Sequence, residues 1–479
     1  MKASTSAMNS SDRPARVLGF RDVLLFYVVT GISLRWIATA ASIGPSSVML
    51  WIGAWLFLYV PLALSVIELS SRYPAEGGLY VWTKKAFGEG SGFLAGWMYW
   101  TSNLPYYPTV LIFAASNLLF LRPEWQRYSH SPAYFTVFSV LVLASLTLIN
   151  LVGLNIAKWS YNAGALAMWI PAGMVVVMGV IAAWHSGSAT SFRPSNLYPG
   201  VHPSDIILWN TFIFAFIGSE AGSIMAEEIK DPRKNIPRGL LLAGLTVAAC
   251  YVLGTICILF VQPASVTSNL DGLVQAIANT SSRIGVSGLS QTAAALIAVS
   301  NIGAAAAYLA VASRLPFVAG IDGFLPRGFG KLHPRWKTPH VSVLTQGIIG
   351  IVFVFLGQAG TSVKGAYNVL VNISVITALI PFLFLFAAVI RVQDEPVGPE
   401  VIRIPGGKPV ARVVACIGFL TTLFAAVLSL FPSSDDPHIF LAAAKILGST
   451  AVLVGVGIAL YWIRKSKAAR SARLPMPFQ

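Results

Sequence analysis

Long apolar runs dominate this chain, and they decide what it can fold into. A helix rises ~1.5 Å per residue and a bilayer's hydrocarbon core is ~30 Å thick, so ~20 mostly apolar residues cross it. Twelve stretches qualify: 22–43, 47–71, 91–121, 133–153, 160–184, 205–228, 239–261, 289–319, 341–358, 365–390, 411–431 and 439–463. Of the 479 residues, 56% are hydrophobic and 11% charged. Soluble domains carry about 25% charge. These figures exclude a soluble enzyme, a disordered regulator, a collagen and a disulfide scaffold. The chain reads as an all-α polytopic membrane protein with twelve transmembrane helices.

A net charge of +15 would point to nucleic acid in a soluble protein. Here the basic residues flank apolar runs and no nucleic-acid module is visible, so the surplus reads as topological charge and contact with anionic lipid. With both termini cytoplasmic, 26 Lys and Arg fall on the inner side and 6 on the outer, with Arg35 inside a span; that accounts for all 33. One missed or extra span would invert everything after it, so the bias supports the count as well as the orientation; the membrane expected is the cell membrane. The polar first ~20 residues, with Arg13, Arg16 and Arg21, lead into a run from Val23 that is long enough to stay in the membrane, so no cleaved leader is expected. Cys250, Cys257 and Cys416 lie in apolar runs without disulfide or zinc spacing, and the six histidines lie in or beside connections. No metal, no cofactor and no histidine relay is expected.

Two spans look interrupted. Span one contains Thr30-Gly31-Ile32-Ser33 followed by Leu34-Arg35-Trp36, and span six contains Phe216-Ile217-Gly218-Ser219-Glu220-Ala221-Gly222. The interruptions are five spans apart, which is the pattern of a 5+5 inverted repeat with discontinuous helices at the midplane. The chain then divides into a tail (1–20), a ten-helix core (21–391, repeats about 21–184 and 205–391), helices eleven and twelve (392–463) and a second tail (464–479). Irregular backbone survives in a bilayer only where it lines a cavity or meets a partner. Freed N–H groups suit a carboxylate and freed C=O groups an ammonium, so a zwitterion matches both. Alternatively, Gly31, Gly218 and Gly222 simply permit close helix packing.

Glu220 is the one acid placed well inside a span, and a mid-membrane carboxylate is by default functional. The plainer alternative is a structural hydrogen bond to a broken-helix N–H. Arg35 is its counterpart on span one. It could couple to Glu220, snorkel outward, or bind a second carboxylate on a substrate. Span three gathers Trp97, Tyr99, Trp100, Tyr106 and Tyr107; packing or an interfacial belt accounts for most of them, and Asn103 is the better polar candidate.

Three segments together carry a resemblance. They are Arg72-Tyr73-Pro74-Ala75-Glu76-Gly77-Gly78-Leu79-Tyr80 after span two, Phe216 through Glu220 leading to Glu227-Glu228 and Lys230 through Arg238, and Ser313-Arg314 through Asp322-Gly323-Phe324-Leu325-Pro326 after span eight. Across roughly residues 20–390 the chain resembles the amino acid–polyamine–organocation superfamily. The resemblance implies a leucine-transporter-type fold, alternating access and a central amino-acid site. Against the arginine/agmatine antiporter branch, Thr30, Gly31, Ile32 and Ser33 match the unwound stretch that holds the substrate carboxylate. Phe214 stands for a gating Trp, and Tyr308 for a second aromatic. Tyr99 and Glu220 match two of three gate residues, with Phe382 in place of the third, a Tyr. Asn103 and Ser374 match pocket positions. The substrate amine would face carbonyls near Phe214, Ala215 and Ile217. Two departures stand out: the usual Gly-x-Gly of span one is absent, and Trp169 and Pro171 occupy the region of span five where some proton-coupled relatives carry a lysine.

The expected function is secondary-active amino-acid transport with a proton or sodium as coupling ion. Alternatives are a polyamine or amino-acid/amine exchanger and, further off, a non-transporting amino-acid sensor. The spans lack the continuous polar stripe of a channel and the paired acids or nucleophile–base sets of an enzyme.

Overall fold

The computed structural model describes residues 16–200, 203–218, 220–268, 271–358, 362–431 and 439–471. Arg13 and Arg473 of the tails and Ser219 of the span-six motif lie outside the described residues. Among those residues the chain is helical, and extended pairing is confined to one bridge between Leu18 and Ile229. Eleven helical segments are long and apolar enough to cross a membrane. They are span one (Phe20–Ile43), two (Ser47–Arg72), three (Glu89–Leu121), four (Pro132–Val152), five (Leu154–Ser186), seven (Pro232–Val261), eight (Leu289–Gly320), nine (His340–Gln358), ten (Gly365–Val392), eleven (Gly407–Leu428) and twelve (Ala443–Ser466).

Span six is the exception to the expected twelve continuous segments. It consists of Pro203–Ala215 and the short Ala221–Ile224, and neither piece alone reaches across. Span one is split too, into Phe20–Gly31 and Leu34–Ile43. Several spans start earlier than hydropathy indicates, as at Leu154 and Pro232. Helical hydrogen bonding continues into the headgroup zone, where polar side chains are tolerated, whereas apolar composition marks only the hydrocarbon stretch. Proline opens spans four and seven, where its missing N–H costs nothing.

Spans one, three, eight and ten are the most enclosed, at 72–78% buried over their apolar windows, while eleven is 28% and twelve 11% buried. Span three packs on eight and ten, span eight on five, and the first half of span one on five, seven and eight. Five and eight cross at Gly164 and Gly303, where a Cβ on either would overlap the other's Cα. Small residues allow such an approach where lipid supplies no hydrophobic drive. The outer surface is apolar: Trp184, Trp159, Leu141, Leu420 and Val452 are all more than 60% exposed, as expected of side chains facing lipid.

The three motifs noted in the sequence meet at one end of the bundle. Arg314 of span eight donates to Glu228 at 2.7 and 3.2 Å, and Glu76 lies 3.9 Å from the same guanidinium. The Gly77 amide donates to Ile224 O at 2.9 Å. Lys84 and the Tyr80 hydroxyl both reach Asp322, at 2.7 and 2.6 Å. Arg72 pairs with Glu68 at 2.6 Å, and Gln393 and the Ile404 amide complete that carboxylate's shell. The chain ahead of span one joins the same end: the Val17 and Leu18 amides donate to Glu228 O, and the Lys230 amide donates to Leu18 O. Burial, with Glu228 close by, holds the Glu76 carboxyl well above the ordinary range, and Arg314 offsets only part of this.

Candidate substrate site

The two breaks face one another around the principal cavity. It is lined by Thr30, Gly31, Ser33, Arg35 and Trp36 of span one, by Phe214, Ala215 and Ile217 of span six, and by side chains of spans three, seven, eight and ten. Its volume is about 40 Å³, about three times what one buried water needs.

Span one breaks because Ile32 and Ser33 turn extended, with φ/ψ of −106°/131° and −131°/116°. Span six breaks at Gly218, which has a φ of +122°, a region that glycine alone enters without strain. A Cβ there would collide with the Tyr308 hydroxyl and with Thr30 O. Both readings of this glycine therefore hold: it bends the chain, and it lets two broken segments touch. Gly222 serves packing, since a Cβ would run into the ring of Tyr27.

The carbonyls freed by the breaks do not stand bare. The Tyr251 hydroxyl lies 3.1 Å from Gly31 O and 3.1 Å from Ala215 O, and it accepts from the Ser33 amide at 3.0 Å. One side chain of span seven thus stitches the two breaks together. The Tyr308 hydroxyl donates to Thr30 O at 2.9 Å, and the Thr30 hydroxyl lies 2.9 Å from Phe26 O and 3.4 Å from Gly218 O. Tyr251 stacks on Trp51 at 4.3 Å, which fixes its ring.

Of the expected contact residues, Thr30, Gly31, Ser33, Asn103, Phe214, Ala215, Ile217, Tyr308 and Ser374 line the cavity, as do Arg35 and Tyr99. Ile32 packs into the core at 3% exposure, because the extended backbone turns its side chain away. Glu220 and Phe382 sit behind the wall. Phe382 lies against Tyr99, with ring centroids 6.5 Å apart. Glu220 is fully buried; it accepts from the Tyr99 hydroxyl at 2.6 Å and from the Gly218 amide at 3.0 Å. The plainer expectation for Glu220, a bond to a broken-helix N–H, is therefore part of what it does.

The direct pairing of Glu220 with Arg35 does not form. Tyr99 and Gly218 occupy the carboxylate, while Arg35 stays 2% exposed over the Trp36 ring (4.2 Å) and beside Tyr106 (5.5 Å). The snorkelling alternative goes with it, since the side chain is held inside. Of the carbonyls expected to face the amine, Ala215 O lies 3.1 Å from the Tyr251 hydroxyl and Phe214 O accepts from the Ile217 amide at 3.0 Å, each with a second lone pair left. Phe214 packs edge-on against Trp36 at 5.8 Å, and both line the cavity.

Five lining residues were not chosen from sequence: Trp36, Ser102, Tyr106, Tyr251 and Ala378. Tyr106 belongs to the aromatic group ascribed to packing, yet it faces both Arg35 and Tyr308. Tyr251 is the main omission. Its signal was the one phenol in the mostly apolar run of span seven, and intramembrane polar groups turn inward.

A bundle of membrane helices broken at two facing points around a small polar cavity defines a carrier of small solutes. The family comparison agrees: the model described as "Amino acid permease" matches residues 18–457. The chain belongs to that family, within the amino acid–polyamine–organocation superfamily. An uncharacterized transporter of Legionella pneumophila is 28% identical over 92% of this chain and 95% of its own length. A probable agmatine/putrescine antiporter of Lactococcus lactis is 22% identical over 83% of this chain and 84% of its own. A glutamate/gamma-aminobutyrate antiporter from the same species is 24% identical over 79% and 77%.

Proposed function

We propose that this multi-pass permease is a secondary-active amino-acid transporter of the cell membrane, with both termini cytoplasmic. One observation carries the reading: the two broken spans close around a polar cavity, lined by Thr30, Gly31, Ser33, Asn103 and Ser374. Irregular backbone at such depth belongs to a site that a small polar solute enters. The cluster of Arg314, Glu228, Glu76, Lys84 and Asp322 lies at the end that the Lys/Arg bias assigns to the cytoplasm, and we read it as the closed inner gate. Alternating access then consists of separating these ion pairs while Phe214 and Trp36 shut the opposite side. Tyr99, Glu220 and Phe382 form the wall that links site to gate, and a gradient of protons or sodium supplies the work. Amine exchange is the second reading, favoured by the agmatine/putrescine relative; the buried cation Arg35 in the cavity wall opposes it.

Uptake into vesicles reconstituted with the purified protein tests the reading. Labelled amino acids accumulate under an inward proton or sodium gradient, and unlabelled substrate inside accelerates entry. If no amino acid or amine enters under any ion gradient, the assignment fails.

A further inference from the structure

We infer that the cavity takes a substrate of net charge −1, an acidic amino acid, whose side-chain carboxylate pairs with Arg35. The inference rests on the transporter reading above and narrows its substrate class.

Arg35 opens the second half of span one, two residues past the break, and lines the cavity. Its Nε and Nη1 are buried and meet no hydrogen-bond acceptor. The rings of Trp36 and Tyr106 flank it, and the Tyr367 hydroxyl is its polar neighbour. Among the described residues no carboxylate lies within ion-pairing distance of it. A cation left in that state is costly, and natural membrane proteins pair such groups or use them. A guanidinium lying over a ring keeps its N–H groups in its own plane, pointing outward, which is the geometry that meets a carboxylate with two parallel bonds.

The hydrogen-bonding balance of the cavity points the same way. Of the carbonyls freed by the breaks, Thr30 O accepts from Tyr308, the one proton of Tyr251 serves Gly31 O or Ala215 O, and Gly218 O lies 3.4 Å from the Thr30 hydroxyl, so the acceptor capacity left over suits no more than the single α-ammonium of an amino acid. Unmet capacity lies with Arg35 Nε and Nη1 and the hydroxyls of Ser33 and Ser374, all of which can donate. Leu34 and Arg35 also begin a half-helix, so their amides lack a partner four residues back within it. An α-carboxylate can settle on that helix end and a second carboxylate on the guanidinium. Charge decides between substrate classes. A zwitterion leaves the cavity with the full charge of Arg35 and sets its ammonium beside it. A polyamine adds like charges. An acidic amino acid matches the charge of Arg35, the one ion on the cavity lining; Glu220 lies behind the wall, its carboxylate held by Tyr99 and Gly218.

The test uses the full-length protein, purified and in vesicles. Melting is followed with aspartate, glutamate, asparagine, glutamine, alanine and putrescine, and uptake is competed with the same set. The acids raise the melting temperature and compete at least about tenfold more tightly than their amides, the ratio expected for hydrogen bonds to a charged group. Arg35→Gln lowers the acids' apparent affinity by at least that factor and removes their advantage over the amides. Arg35→Lys retains part of it, since charge remains but the fork is lost. A third readout separates substrate binding from a structural role: without ligand, Arg35→Gln melts at or above the wild-type temperature, because an unpaired buried cation disappears. Neutral amino acids transported in preference to acids, or acid uptake indifferent to Arg35→Gln, overturns the inference and leaves the transporter reading intact. No uptake of any amino acid or amine takes down both.

Discussion

Replacing Tyr251 with Phe tests the central geometry most directly. The ring keeps its 4.3 Å stack on Trp51, so the variant removes one oxygen and little packing. That oxygen serves Gly31 O, Ala215 O and the Ser33 amide, each within 3.1 Å. A buried polar group deprived of its partner costs about 1–3 kcal/mol, and a carbonyl can turn to water or to its second lone pair. Counting the Ser33 amide in full and the carbonyls in part gives a loss of about 2–4 kcal/mol. Melting of the detergent-solubilised protein, followed by tryptophan fluorescence, measures it. Tyr134→Phe is the control: its hydroxyl makes one bond, to Ala115 O at 3.0 Å, away from the breaks, for which about 0.5–1.5 kcal/mol is expected. Substrate affinity falls as well in Tyr251→Phe, because the two breaks lose their common tie. If Tyr251→Phe melts no lower than Tyr134→Phe and transports normally, the breaks are not held by this side chain and the argument is wrong.

Three further outcomes follow from the same structure. Gly218→Ala sets a Cβ against Tyr308 and Thr30 at a φ of +122°, a strain of about 1–3 kcal/mol; transport drops sharply in a protein that still inserts, and normal uptake would contradict the close approach. Arg314→Met leaves Glu76 and Glu228 buried without their cation and destabilises by about 3–5 kcal/mol, read as a lowered melting temperature, with an unchanged value counting against the cluster. Glu76→Gln acts through pH. The folded protein holds this carboxyl above its ordinary value, so the stability that goes with its proton is present in acid and is lost as pH climbs through the raised value. The variant therefore melts above wild type at pH 8, and the gap narrows toward pH 4.5; a gap that ignores pH would refute the burial argument.

Much of the architecture was legible because the bilayer imposes a length rule. Eleven spans emerge close to where hydropathy placed them, and both interruptions were visible as glycine, hydroxyl and charge in one short stretch. Arg35 and Glu220 betrayed themselves as ions at depth. What each of them touches was not legible in the local pattern, and only the family resemblance grouped Tyr99 with Glu220. Tyr99 lies 121 residues from Glu220 in the chain, and nothing in the local pattern says which ion a distant phenol will reach first. Tyr251 stayed hidden for a related reason: it is one of three hydroxyls on span seven, with Thr246 and Thr255, and its value comes from backbone oxygens on two other segments. Tyr106 was misjudged because one aromatic among five on span three looks the same in sequence whether it meets lipid, a neighbour or a cation.

The phenols at the two breaks bear on the return stroke of the cycle. A carrier must swing back after release, and a vacant site with naked peptide dipoles would make that step slow or would trap water in the middle of the protein. Here Tyr251 and Tyr308 act as resident caps, so much of the unwound backbone stays dressed when the cargo departs. Arg35 is dressed only by the rings of Trp36 and Tyr106 and by the Tyr367 hydroxyl, so on the acidic-substrate inference its full pairing waits for the cargo.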